Sequence, residues 1–285
     1  MRAAGAGQAA SAVKRARAFA AAALLAACNS GPLELAGADY PDAAVGSVAN
    51  GVDPQIDPRL LPPSAPDHGI YLYWLFDSDS ITVSVDASGH QRAGKFVNLP
   101  TLSDAAPTAR TGDERGLFFN GTGQAVIYDM NGPLSTLSFG LWVKPACLGA
   151  CRVFSLSNAD VSPGLTLDIN AQAKFELNAG APQIAGGGAP AVATRAVGVT
   201  PIVNEHWYHV AGSVDASGQL RLFVNGTQDG SGAGATPSTA IRLMLGSDAT
   251  HANGAPAGFR GVLDETIVYD WALPGADVAS LAAGA

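Results

Sequence analysis

The stretch from His206 to Gly226, HWYHVAGSVDASGQLRLFVNG, reads as a strand, a turn, a second strand and an Asn-Gly turn. Its runs are rich in β-branched, aromatic and leucine residues, which suit a pleated, half-buried surface. Asn-Gly accepts the positive φ angles of a type I′ hairpin, and Asp-x-Ser-Gly closes a longer turn. The same texture begins at about His68. It predicts strands over 69–77, 80–86, 115–121, 124–130, 137–145, 152–157, 164–170, 174–178, 206–215, 219–226, 241–247 and 259–273. So many short strands with almost no helix imply an all-β chain folded as a two-sheet antiparallel β-sandwich. Only the tail after Pro274, GADVASLAA, has the makings of a brief helix.

Two signals resemble an internal repeat. VDASG occurs at 85–89 and 214–218, and LFFNGT at 117–122 echoes LFVNGT at 222–227. The two pairs are offset differently, so one duplication does not account for both. Shared turn chemistry does. Gly, Ala, Pro and Thr dominate 179–201, 229–240 and 249–258, which read as loops at the ends of the sandwich, where binding sites usually lie.

Residues 1–27 have the order of a signal segment: a basic region with Lys14, Arg15 and Arg17, then the apolar run AFAAAALL, then Leu25-Ala26-Ala27 before Cys28. The apolar run is too short to cross a hydrocarbon core of about 30 Å. LAAC resembles a bacterial lipobox, which implies diacylglycerol on Cys28 and an exported protein anchored to a membrane. Asn29 after the cysteine points to the outer membrane by the same resemblance. Residues 28–67, rich in Pro, Ala and Gly without apolar periodicity, read as a flexible tether. A coil of that length spans roughly 35 Å. The sandwich domain is expected over 68–285.

Charge and cysteines narrow the chemistry. The whole chain carries a net charge of −8. Removing residues 1–27 deletes four basic residues and no acid, which leaves 12 basic against 24 acidic side chains. No basic cluster is left to contact phosphates, which excludes nucleic acid as a partner. With Cys28 carrying lipid, Cys147 and Cys151 form an even pair in an oxidising compartment, and CLGAC sits between two predicted strands. A disulfide is expected there. A zinc site would require two further ligands at suitable spacing.

EHWYH, Glu205 to His209, holds two of the chain's five histidines. A helical zinc motif separates its histidines by four. Here they are three apart on a predicted strand, so they point to opposite faces and cannot share an ion.

The pattern of Trp207, His209, Val210, Ala211, Asp215, Gly218, Leu220, Leu222, Val224, Asn225 and Gly226 resembles the central hairpin of the laminin G-like, concanavalin A-like jelly-roll family. LSFGLWVKP (137–145) and FRGVLDETIVYDWAL (259–273) resemble two further blocks of that family, in the same order. The resemblance covers about 69–283. It implies a jelly-roll sandwich but leaves function open.

Glucanases of the superfamily carry paired carboxylates on one strand face. Glu114, Glu176, Glu205 and Glu265 have no acidic partner two or four residues away, and strand alternation sends Asp264 and Glu265 to opposite faces. No Gly-x-Ser-x-Gly elbow is present. The chain therefore reads as a non-enzyme. By the same resemblance a structural calcium ion is a candidate cofactor, with Asp77, Asp86 and Asp264 as ligands if first and last strands pair. The rival reading is that such acids accept backbone N–H groups at loops. For carbohydrate, Tyr128 with Asp129 and Asn131, or the loop carrying Asp248, His251 and Asn253, are the candidates, although most of the chain's aromatics read as core. The expected function is non-catalytic binding of a glycan or protein at the bacterial cell envelope. The alternatives are an adhesion component that binds no sugar and a hydrolase with an unrecognised site.

Overall fold

A computed structural model describes residues 65–77, 80, 82–107, 115–147, 149–158, 163–180, 194–234, 236–247 and 257–283. The expected signal segment with Cys28, most of the expected tether, and Asp248, His251 and Asn253 lie outside them. The described strands form two sheets. Sheet A has the order β14 (Thr227–Ala233), β13 (Gln219–Val224), β12 (Tyr208–Val214), β7 (Leu137–Pro145), β17 (Arg260–Tyr269), β5 (Gly116–Asn120) and β4 (Thr101–Ser103), and β1 (Ile70–Trp74) also pairs with β17. Sheet B has the order β11 (Thr194–Val197), β10 (Phe175–Ala179), β9 (Pro163–Ile169), β8 (Cys151–Asn158), β15 (Ala240–Leu245), β6 (Ala125–Asp129), β3 (Gly94–Val97) and β2 (Val83–Ser84). β16 (Ala257–Gly258) joins β8 in parallel, and the other pairs are antiparallel.

Alternation explains the packing. On β7, Leu137, Phe139, Leu141 and Val143 point into the core between the sheets, while Ser138, Gly140 and Trp142 point out. Across the interface Phe139 stacks on Phe154 of β8 with centroids 4.2 Å apart, and Phe175 of β10 meets Tyr208 of β12 edge-on. Burying each such ring contributes roughly 2–3 kcal/mol. Trp74 is fully buried, and its Nε1 donates to the Arg92 carbonyl.

The helix after Pro274 forms as expected. It is α1 (Gly275–Ala282), and it buries Val278 and Leu281 in a second apolar cluster with Tyr73, Phe223, Ile267 and Tyr269. These residues cover the outer face of sheet A. Tyr269 Oη donates to the Pro66 carbonyl, and Trp271 stacks on His68, so the folded domain reaches back past the expected boundary at 68.

The three expected loops each contain a strand: β11, β14 and β16. Residues 94–97 and 101–103 also form strands that propensity does not announce. β14, TQDGSGA, is the clearest case. A Cβ at Gly232 would lie 2.2 Å from the Arg195 carbonyl oxygen of β11. The bare glycines let the edges of the two sheets touch backbone to backbone, a tertiary requirement that outweighs poor strand propensity.

Turn chemistry is half as uniform as the repeats imply. Asp86 Oδ1 accepts from Ser88 N and Oγ, and Asp215 Oδ1 accepts from Ser217 N and Oγ, so both Asp-x-Ser-Gly turns are built alike. The Asn-Gly pairs differ. Asn225 and Gly226 have φ of 50° and 76° and make the two-residue type I′ link from β13 to β14. At Asn120-Gly121 only the glycine has positive φ, and Gln124 Oε1 accepts from Asn120 N across a longer connection.

Cys147 and Cys151 are joined, as expected. Closing so short a loop between β7 and β8 contributes roughly 2 kcal/mol on the chain-entropy model. Replacing both cysteines by serine should therefore lower the thermal midpoint by several degrees without unfolding the chain at room temperature, as measured by circular dichroism melting.

Candidate functional site

The two outer faces of the sandwich differ in chemistry. That of sheet A carries an apolar cluster under α1, with the polar side chains Ser138, His209, Ser213 and Asp264 buried beside it. The one histidine of EHWYH that enters it, His209, is fully buried there: its ring meets Trp142 edge-on at 5.3 Å, and Nδ1 has no hydrogen-bond partner. Burial drops its pKa to about 4, so the ring is neutral. His206 is exposed at the preceding turn. His206 precedes β12 rather than lying on it with His209.

The outer face of sheet B is polar. Register sets its neighbours in rows across the strands. One row runs Val197, Glu176, Asp168 and Arg152; the next runs Arg195, Asn178, Thr166, Ser155, Met244, Ile127 and Lys95; a third runs Ser157, Arg242 and Asp129. Arg152 grips Asp168 with both arms, Nε to Oδ1 at 2.8 Å and Nη2 to Oδ2 at 3.1 Å. Thr166 Oγ1 and Asn178 Nδ2 also donate to Asp168 Oδ2. Burial pushes the Asp168 carboxyl above the ordinary aspartate value, against the downward pull of the Arg152 and Thr166 hydrogen bonds. Glu176, directly across from Asp168, accepts from Asn170 Nδ2 and lies 3.5 Å from Arg195 Nη1.

Arg152, Asp168, Thr166, Ser155 and Ser157 are buried in the middle of this face. Its margins are open: Arg195, Glu176 and Asn178 on one side, Arg242 and Asp129 on the other, with Arg242 Nε donating to Asp129 Oδ1 at 2.6 Å. The open margins thus present directional donors and acceptors to a hydroxyl-rich ligand, and the buried Arg152–Asp168 pair behind them fixes their geometry.

Of the residues singled out in the sequence, Tyr128 and Asp129 lie at this margin but face opposite ways. Tyr128 turns toward the core, half-buried, edge-on to Tyr71. Tyr71 in turn carries the Arg92 guanidinium 3.8 Å above its ring, and burial followed by the neighbouring Tyr128 pushes the Tyr71 hydroxyl up to about 12. Asn131 is exposed beyond the strand end. The sequence reading missed Arg152, Asp168, Asn178 and Arg195. The signal was present for Asp168 and Asn178 in the alternate polar positions of LTLDIN and KFELN; a bulge between Arg152 and Phe154 breaks the alternation of RVFSLS, and Arg195 lies in a stretch expected to be a loop.

The first and last strands do pair, β1 with β17, and Asp86 bridges to Trp74. Even so, among the described residues no three His, Cys, Asp or Glu side chains form a group able to hold a metal ion. Asp77, Asp86 and Asp264 are therefore not gathered as a ligand set. Asp86 instead accepts from Tyr73 N, Ser88 N and Oγ, and Arg92 N, which is the rival role of binding loop backbone. Asp264 Oδ1 accepts from Glu265 N in the sheet interior. The regular alternation from which Asp264 and Glu265 are expected to face opposite ways is interrupted at this point. A β-bulge between Asp264 and Ile267, with Glu265 at φ 45°, breaks the alternation and buries both acids.

Sheet order, core and polar outer face together define a lectin-type jelly roll. A laminin G-like family model, described as the concanavalin A-like lectin/glucanases superfamily, matches residues 119–279, more than half of the chain. The protein belongs to the concanavalin A-like lectin/glucanase superfamily. Among solved structures, it is similar to domain 4 of AbnA, a GH43 extracellular arabinanase from Geobacillus stearothermophilus, in complex with arabinotriose. That match has a TM-score of 0.55 and 21% identity, over 75% of this chain and 98% of that one. It is also similar to Trypanosoma rangeli sialidase in complex with sialic acid, with a TM-score of 0.55 and 17% identity over 76% of this chain, but this chain covers only 33% of the sialidase. At these identities the likeness is one of fold. No curated protein matches the sequence.

Proposed function

We propose that this protein is a non-catalytic carbohydrate-binding module, held at the bacterial cell envelope by lipid on Cys28. The observation that carries the reading is the outer face of sheet B, where Asp168, Arg152, Thr166, Asn178, Glu176 and Arg195 form a fixed hydrogen-bonding array. A domain of the same fold, nearly all of which this chain covers, has been solved with arabinotriose. Sugar hydroxyls are both donors and acceptors, and a rigid array of paired polar groups discriminates among them strongly. On a glycan array the full chain should bind at least one polysaccharide, and Arg195→Ala, at the exposed margin, should weaken that binding roughly tenfold with an unchanged melting midpoint. Absence of binding to any glycan would move the protein to an adhesion role without sugar.

One observation favours a second reading, hydrolysis. Asp168 and Glu176 are cross-strand neighbours on one face, a pairing that inspection along single strands misses. Two facing carboxylates, one with a raised pKa, are what glycoside hydrolysis uses. Against this, Asp168 is buried and already accepts from Arg152, Thr166 and Asn178, which leaves it poorly placed to donate a proton to a leaving group. Release of reducing ends from a bound polysaccharide, abolished by Glu176→Gln, would establish the enzyme reading.

A further inference from the structure

Resting on the carbohydrate reading above, we propose that the outer face of sheet B selects neutral, soluble polysaccharide chains and rejects both polyuronates and crystalline surfaces. Charge carries the first half. Three of the four basic side chains on this face are matched by a carboxylate on the same face: Arg152 by Asp168, Arg242 by Asp129 and Arg195 by Glu176. A guanidinium held against a carboxylate has its charge largely offset, and that of Arg152 has its planar fork occupied as well, so a uronate arriving there meets little net attraction. Lys95, on exposed β3, is the remaining cation. The chain as a whole is acidic and repels polyanions over distance.

Side-chain direction carries the second half. Recognition of a flat crystalline surface uses coplanar exposed aromatic rings. In sheet B every aromatic strand residue, Phe96, Tyr128, Phe154 and Phe175, packs toward the core between the sheets. Among the described residues the outward positions are Arg, Lys, Asp, Glu, Asn, Ser and Thr with the aliphatic Val83, Val97, Ile127, Met244 and Val197. Through Arg195 and Asn178 at one open margin and Arg242 and Asp129 at the other, such a surface meets the hydroxyls of a single chain and offers no stacking platform.

Affinity electrophoresis of the full chain tests this, in native gels containing linear arabinan or polygalacturonate, beside depletion from solution by microcrystalline cellulose. Wild type should be retarded by arabinan, unretarded by polygalacturonate and not depleted by cellulose. Asp129→Asn, which frees the Arg242 guanidinium at the exposed margin, should gain retardation by polygalacturonate severalfold while its migration in a gel without polysaccharide changes only by the lost charge. Retardation of wild type by polygalacturonate, depletion by cellulose, or no gain in Asp129→Asn overturns the proposed selectivity and leaves carbohydrate binding standing. Failure of arabinan and of a glycan array alike overturns the carbohydrate reading and this selectivity with it.

Discussion

Replacing Asp168 by alanine is expected to destabilise the fold by about 3 kcal/mol, or roughly 6–12 °C in thermal midpoint for a domain of this size. Both Asp168 and Arg152 have less than a tenth of their side chains exposed. Removing the carboxylate strips a buried guanidinium of a two-armed pairing, and the solvation it gave up on folding is not returned. Arg152 keeps other interactions, which holds the cost to the lower end of what such truncations produce. The double change Arg152→Met with Asp168→Leu removes both charges together and should lie within about 1 kcal/mol of wild type, yet bind no glycan. Denaturant melts of the full chain separate the cases. A single variant as stable as wild type would mean that the pair is solvated and that this face is not preorganised. A stable double variant that still binds glycan would move the site elsewhere.

Acid should loosen the domain through His209. Its folded pKa is lowered to about 4 by burial, against 6.5 for the free side chain. Between those values the unfolded chain takes up the proton and the folded one does not, so the stability that is fully present above pH 6.5 is lost as pH falls toward 4. The span corresponds to about 3 kcal/mol. Below about pH 4 both states hold the proton and this residue contributes no further change. Aspartates and glutamates titrate in the same region, so the informative quantity is the difference between wild type and His209→Gln. That difference should grow in the variant's favour by about 3 kcal/mol between pH 7.5 and pH 4. Parallel stability curves for the two proteins would show that the ring finds a partner when charged. Asp264 stands across Trp142 in the same row of sheet A and is the nearest acid by register.

Much of the fold is legible in single stretches of sequence. LSFGLWVKP becomes β7 over the residues expected, with its alternate apolar residues in the core. The Asn225-Gly226 pair makes its type I′ turn, and GADVASLAA makes its helix. What escapes is whatever depends on two segments at once. TQDGSGA reads as a loop until β11 lies beside it and requires glycine. LFFNGT and LFVNGT share letters but not turns, because Gln124 intervenes in one and β14 follows at once in the other.

The candidate site falls on the same divide. Tyr128 attracted notice as an aromatic beside polar groups, yet its ring turns inward and its neighbour Asp129 is the one that faces out. Asp77, Asp86 and Asp264 form a ligand set only if pairing of the end strands brings them together. Those strands do pair, but Asp86 accepts from the backbone of its own turn, and Asp264 is buried in register with Trp142 on the outer side of sheet A. The carboxylate neighbours that do exist, Asp168 and Glu176, were invisible to a search along individual strands.

By itself the sequence determined the all-β class, the family resemblance, the disulfide and the alternation that sorts each strand into an inner and an outer face. These are local properties, fixed by one residue and the next but one. Tertiary structure alone decided which outer positions meet: that Arg152 closes on Asp168, that Glu176 stands opposite it, and that α1 covers one sheet while the other stays polar. Cross-strand register, bulges and edge contacts set those meetings, and register is a property of two strands together that neither encodes alone.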